Sequence, residues 1–507
     1  MLRPCSCGNR SSKEKGAGTE LEIGGLFQLA AYVLLFLLCV AVFAKVRSRV
    51  IRQGTLLATS IVLYLTWEPW FAAVLFTSIV GNFLLGKWLR ARTHWLPLMA
   101  GALFNLALLA AFKYIPQVTL QVLPSALGES AQLALPLGIS FWTFLALSYL
   151  FDLYRGEELD PTFAEFALYM AFFPVTISGP VCRMPEMLPQ FRSEETTSWS
   201  DIALGMRRIA TGVFMMQLGK LLGQGILAGD GIVTGFDYAT QWSGADVWCL
   251  ALGYGLQLFF DFAGYSHIAV GAAKALGISV PENFERPFAS TNPSAFWTRW
   301  HMSLSFWIRD YVFFPLATLR REAWWRHFAL MVSMIVFGLW HKATLPFLIW
   351  GCYHGLLLVS QRLLQQVERR FNWHPPKIWT PLSWFATAVL ISLGWIFFRA
   401  NSLSQAREML AALASTETYD SHFLSSSLYL LIGVLAAGYA IVLLMNDALE
   451  HVAVPSEASR KTSGIISLMA RSRWFWLPAV YVLALLVVLM ITLTQQGGVG
   501  QMMYRSF

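Results

Sequence analysis

Long apolar runs separated by short clusters of charge set the pattern of this chain of 507 residues. A helix needs about 20 predominantly apolar residues to cross the ~30 Å hydrocarbon core of a bilayer. Runs of that kind lie near 26–44, 54–66, 69–86, 97–113, 133–153, 207–227, 246–272, 383–399, 427–445 and 474–494. Ten crossings would leave both ends of the chain on one side. The polar tail 1–24 lacks the charged, apolar and small-residue regions of a cleavable signal, so the first run is expected to stay as an anchor. The fold class predicted is all-α integral membrane, with 25–500 as a single membrane domain.

Three stretches break the simple pattern. Counting 163–180 as a crossing would put the long basic stretch from Lys274 to Arg326 outside, so it reads as re-entrant, ending in the breaker Ser178, Gly179 and Pro180. The run 328–361 is interrupted from His341 to Pro346, leaving arms of about 14–16 residues, or ~21–24 Å. Arms that short would hold the turn with His341 within the membrane, where irregular backbone survives only against protein or a wet cavity. From Ser294 to Tyr311, Trp297, Trp300, Leu304, Trp307 and Tyr311 recur at helical steps while Arg299, Ser303, Arg309 and Asp310 take other faces. That pattern predicts one amphipathic helix lying in the interface.

Composition agrees with a lipid solvent. Hydrophobic residues make up 56% and charged residues 13%, with a mean hydropathy of +0.54, against roughly 25% charged in soluble domains. A net charge of +8 is compatible with nucleic-acid binding, but the cations flank apolar runs: Arg47, Arg49 and Arg52, then Lys87, Arg90 and Arg92, then Arg207 and Arg208. The loop from Leu227 to Asp246 has no Lys or Arg and three Asp. This is the positive-inside pattern, with the basic clusters cytoplasmic and that loop external; no nucleic-acid partner is expected. Cys39, Cys182, Cys249 and Cys352 sit in or beside apolar runs as small hydrophobes do, and Cys5 and Cys7 lack the second ligand pair a metal site needs.

The chain has no Gly-x-Ser-x-Gly elbow, no His-Glu-x-x-His zinc motif and no P-loop, and none of its nine histidines has an Asp five residues on. What remains is a group of histidines in its middle: His301, His341 and His354. Ionisable groups within a membrane mark function by default, although an imidazole can also just satisfy a helix-to-helix hydrogen bond, a role that suits His354. His341, between Trp340 and Lys342 at the break, is the stronger candidate. Acyl transfer from a thioester to an alcohol needs a base near the hydroxyl and a donor for the developing oxyanion, and imidazole suits the first. A transporter using these histidines as a proton relay would be expected to show inverted repeats, and none is evident. A binding scaffold is a third reading.

Pro281 to Phe288, Phe296 to Tyr311, Leu135 to Phe141, Asp152 to Gly156, Phe260 to Tyr265, Gly338 to His341, Trp350 to Gly355 and Gly394 to Arg399 together resemble, in order and spacing, the membrane-bound O-acyltransferase superfamily. Within it they are similar to the branch of alginate O-acetyltransferase membrane subunits, and the likeness covers about 135–410. It implies re-entrant and interfacial helices around a central tunnel, a catalytic His341, and His301 at the family's second polar position. It also implies acetyl-coenzyme A or another acyl thioester as cytoplasmic donor substrate, with no bound cofactor or metal, and the bacterial cytoplasmic (inner) membrane as location. The acceptor implied is a polysaccharide or a periplasmic acyl-accepting protein of the SGNH type. Arg299 and Arg309 would shape the donor entrance, unless salt links to Glu285 or Asp310 merely fix the helix; Ser303, Trp340 and His354 are further substrate-side candidates. D-alanyl transfer to teichoic acid, or acylation of a lipid or protein, is the alternative within the superfamily. The chain departs from the family pattern at Lys342, where Gly is expected, at His267, where Asp is expected, and at Ala317, Thr318 and Leu319, which replace Gly-Gly-Asn.

Overall fold

The computed structural model describes residues 30–66, 69–115, 135–226, 230–238, 241–373 and 376–453; the tail 1–24, Cys5, Cys7 and the run 474–494 lie outside them. Among the described residues the regular elements are helical, apart from one isolated bridge between Phe284 and Trp300. The first group comprises α1 (Ala30–Lys45), α2 (Arg49–Leu65), α3 (Pro69–Ala91), α4 (Trp95–Leu109), which runs on as a π turn over Ala110–Tyr114, and α5 (Ile139–Tyr154). Two short helices, α6 (Phe163–Ala171) and α7 (Met184–Arg192), lead to α8 (Trp199–Gln224), α9 (Ile232–Tyr238) and α10 (Gly244–Ala275). Then come α11 (Pro293–Trp297), α12 (Met302–Ile308), a π turn over Arg309–Phe313 and α13 (Phe314–Ala317). The chain continues with α14 (Ala323–His341), α15 (Leu345–Arg370), α16 (Thr380–Arg399), α17 (Leu403–Ala414) and α18 (Ser426–Ala453).

Among the described residues, seven helices are long and apolar enough to cross a membrane: α3, α4 with its π turn, α10, α14, α15, α16 and Ser426–Leu443 of α18. Leu34, Leu103 and Leu430 are exposed on outward faces, as expected where the solvent is hydrocarbon rather than water. Inside, α5 is buried on nearly every side. Helices α8 and α10 approach closely, because a Cβ at Gly212 would sit 2.4 Å from the Gly264 carbonyl and one at Gly205 2.5 Å from that of Gly271. Small residues at such contacts let membrane helices pack by van der Waals contact where no hydrophobic force drives them together.

Two sequence expectations need correction. The arms around His341 are not short: α14 has 19 residues and α15 has 26, so α14 alone spans about 28 Å. The apolar runs understated them because both helices extend into polar and aromatic residues, Trp324 to His327 at one end and Gln361 to Arg370 at the other. Two added crossings leave the side of every later loop unchanged. The segment 294–311 is not one interfacial helix either. It breaks at His301, whose φ of 45° is left-handed, and its stripe of Trp297, Trp300, Leu304, Trp307 and Tyr311 is buried in protein. Helical spacing predicted which residues are covered, but not what covers them. The stretch 163–180 holds only the nine-residue α6, about 14 Å long and too short to cross.

Candidate functional site

The hairpin of α14 and α15 closes tightly, since a Cβ at Gly338 would lie 2.4 Å from the Phe347 carbonyl. That contact sets the last turn of α14 against the first turns of α15, and His341 ends it. The imidazole of His341 stacks on Phe337 at 5.4 Å and 17°, with Phe398 at 5.1 Å and Trp350 at 5.8 Å meeting it edge-on. Phe337 also meets His301 edge-on, with ring centroids 6.4 Å apart, and the His301 ring is edge-on to Phe262 at 4.6 Å.

A narrow cavity joins the two histidines and is otherwise lined by aromatic rings and Leu258. Its free interior takes little more than a water-sized group. His301 reaches this cavity only because the backbone breaks there. Main-chain hydrogen bonds from Glu285 to the Arg299 carbonyl and from Met302 to the Asn283 carbonyl hold the break open. A left-handed conformation costs a non-glycine residue of order 1–3 kcal/mol and is found where surrounding structure enforces it, often at functional sites. Neither nitrogen of His301 has a hydrogen-bond partner among the described residues.

The other sequence candidates divide. His354 is fully buried beneath Gly394, where a Cβ would lie 2.5 Å from its Nε2, and Trp297 and Trp350 separate it from the cavity. Trp340 is not among the cavity-lining residues; its ring packs on Phe144 at 5.1 Å and its carbonyl faces away to Lys113. Ser303 donates to Asn283 Oδ1 at 2.5 Å and accepts from the Val181 amide at 2.9 Å, while Asn283 donates to Ser266. Its hydroxyl therefore ties α12 to α10 and to the segment before α7. Arg299 is half-buried beside the break. Arg309 pairs with Asp310 at 2.7 Å. Among the described residues no group of three His, Cys, Asp or Glu side chains could hold a metal.

Sequence reasoning missed a charged crossing built on the π turn over Arg309–Phe313. Arg183 donates to Asp310 at 2.6 Å, Arg155 donates to the Asp310 carbonyl at 2.6 Å, and both guanidiniums lie over the Tyr311 ring at 5.1 and 5.0 Å. Tyr311 in turn donates to Asp152 at 2.7 Å. Burial works against ionising Asp310, but Arg309 and Arg183 outweigh it and hold the carboxyl below its ordinary range. Nearby, Arg192 donates to both oxygens of Glu165 and holds that carboxyl down at about 2. Arg90, in the basic cluster read as cytoplasmic, pairs with Asp160 at the same end. Lys113 was missed too: it is buried against the carbonyl just before His341.

Comparison with known proteins fixes the family. The family model for MBOAT, the membrane-bound O-acyltransferase family, matches residues 106–404, which include Lys113, His301 and His341. The probable alginate O-acetylase AlgI of Pseudomonas aeruginosa is 32% identical over 382 residues, covering 73% of this chain and 71% of that protein. The peptidoglycan O-acetyltransferase of Helicobacter pylori is 31% identical over 393 residues, 71% of this chain and 73% of its own. The teichoic acid D-alanyltransferase of Bacillus subtilis matches less of this chain, 31% over 274 residues and 52%. A multi-pass helical bundle that buries two histidines in one aromatic cavity, matched over more than half its length, makes this chain an O-acyltransferase of the membrane-bound O-acyltransferase family.

Proposed function

We propose that the chain transfers an acetyl group from acetyl-coenzyme A, bound at the basic end of the bundle, to a hydroxyl presented at the opposite end, with His341 as general base. The observation that carries this reading is the shared cavity of His341 and His301, the two polar side chains in a lining of aromatic rings. In the step envisaged, His341 takes the hydroxyl proton as the oxygen attacks the thioester carbonyl. The tetrahedral oxyanion collapses, the carbon–sulfur bond breaks, and the departing thiolate recovers the proton from His341. His301, whose two nitrogens have no partner among the described residues, is free to turn an N–H toward the oxyanion. A dry aromatic setting strengthens such a hydrogen bond relative to water.

The ends of the bundle support the direction of transfer. Arg320, Arg321 and Arg326 lie at or before the start of α14 and Arg369 and Arg370 end α15, on the side that also carries Arg155, Arg183 and Arg309. Such a surface draws a donor rich in phosphate. His341 lies at the far end of α14. Acetyl is favoured over D-alanyl because the O-acetylases match this chain over more than seven-tenths of its length and the D-alanyltransferase over half. The acceptor is then a cell-envelope polysaccharide or an SGNH-type protein that relays the group, and the membrane a bacterial inner membrane.

The test offers the purified chain acetyl-coenzyme A with a short oligosaccharide and follows release of the coenzyme A thiol, with His341→Ala as control. Thiol release by the wild type alone supports the reading. Turnover of a D-alanyl thioester in its place would overturn the donor assignment.

A further inference from the structure

The end of α14 is held by a cation from another helix. A helix leaves its last four carbonyls without intrahelical donors, and in α14 these belong to Gly338, Leu339, Trp340 and His341. The Lys342 amide reaches only the Gly338 carbonyl, at 3.4 Å. The Trp340 carbonyl, one residue before the proposed base, accepts from Lys113 Nζ at 2.5 Å. The same ammonium donates to Ser140 at 3.1 Å and lies 4.9 Å over the Trp340 ring.

Lys113 is only 2% exposed, and among the described residues its hydrogen-bond partners are two neutral oxygens, with no carboxylate. A buried cation without a counter-ion is costly, and one placed at a helix C-terminus recovers part of that cost from the aligned peptide dipoles. The side chain gets there because residues 110–114 wind as a π turn, which adds a residue to the helical repeat and re-aims what it carries; such turns recur at functional sites. The chain direction sharpens the point. Lys113 lies at the end of α4 opposite Arg90 and Arg92, on the side where the positive-inside pattern disfavours lysine.

We infer that Lys113 is a positioning residue for the reaction: by gripping the Trp340 carbonyl and ring it fixes the last peptide of α14, and with it the direction in which the His341 imidazole faces the cavity. This rests on the acyl-transfer reading. Ser140, on α5, accepts from the same ammonium, so α4, α5 and α14 meet at one nitrogen.

The experiment compares wild type, Lys113→Met, Lys113→Arg and Ser140→Ala in the same coenzyme A release assay. Lys113→Met keeps the length but not the donor. It should lower kcat on the order of 10- to 100-fold, the loss expected when a reacting group is displaced by about an ångström, while the KM for acetyl-coenzyme A stays near wild type. Lys113→Arg should recover part of the kcat, and Ser140→Ala should lower it only modestly. A folded Lys113→Met protein with wild-type kcat overturns the inference. So does a loss shared equally by Met and Arg with a parallel rise in KM, which would mark a packing role alone. If the Met variant does not fold, wild-type kcat in both Arg and Ser140→Ala variants overturns it. A wild type that releases no thiol counts against the acyl-transfer reading instead. Lys113 is then judged by carbethoxylation of His341 with diethyl pyrocarbonate, read by mass spectrometry: Lys113→Arg or Lys113→Met should speed it, and unchanged labelling in both overturns the inference.

Discussion

The cavity around His341 and the crossing around Asp310 are built on opposite principles. In the cavity, His341 and His301 sit among rings and Leu258, and the nitrogens of His301 have no partner among the described residues. At the crossing, Asp310 takes Arg183, Arg309 and Arg155, while Tyr311 takes Asp152. Partnered charge is what a protein uses to hold elements in place. A buried polar group without a partner costs stability and calls for an explanation, of which a catalytic role is one. This contrast favours the proposed placement of the chemistry in the cavity and leaves the crossing as a brace on the side proposed for the donor.

The largest effect should come from the cavity. His341→Ala should lower turnover by about 10²–10⁴-fold, the usual worth of a general base, read as coenzyme A release at saturating donor. His301→Ala should cost less, near the low end of the about 10²–10³-fold that follows loss of one oxyanion donor, because water can replace it in part. Equal losses would erase the division of roles between the two rings.

At the crossing the effect should shift from kcat to KM. Arg183→Gln leaves Asp310 with Arg309 and Arg155, and removes one guanidinium from the donor's side. The KM for acetyl-coenzyme A should rise several-fold at low salt, less at high salt where charge is screened, with kcat near wild type. A fall in kcat at unchanged KM would mean that the crossing supports the catalytic step.

The smallest effect is on stability. Arg192 holds the Glu165 carboxyl down at about 2. A carboxyl depressed in the folded state adds stability above its unfolded pKa, and this stability is lost as pH falls through the folded value. Glu165→Gln should lower stability by about 1.5–3 kcal/mol at neutral pH, the range for a hydrogen bond to a charged group, while turnover stays near wild type. The difference from wild type should shrink below about pH 4.

Much of this was legible in the sequence, for identifiable reasons. Apolar runs gave the helices because hydrocarbon tolerates little else, and His341 stood out as an ionisable group at a break. Helical spacing predicted the burial of Trp297, Trp300, Leu304, Trp307 and Tyr311, yet concealed the turn at His301, since periodicity reports which positions are covered and not the backbone that joins them. The hairpin arms were judged too short because α14 and α15 continue past their apolar cores. Lys113 closes the apolar run 97–113 with no motif around it. Its signal was its side: it is a lysine at an end of the bundle that otherwise reads as external, and only the structure showed the carbonyl it grips.

The central claim is that His341 acts as a base and does not merely pack. Gln in its place keeps a hydrogen-bonding group of similar reach but cannot take a proton. Single-turnover thiol release by purified His341→Gln protein, folded and binding acetyl-coenzyme A as the wild type does, tests this most directly. The account predicts loss of release by about 10²-fold or more at unchanged donor affinity; near-normal release would contradict it and leave His341 as a packing residue.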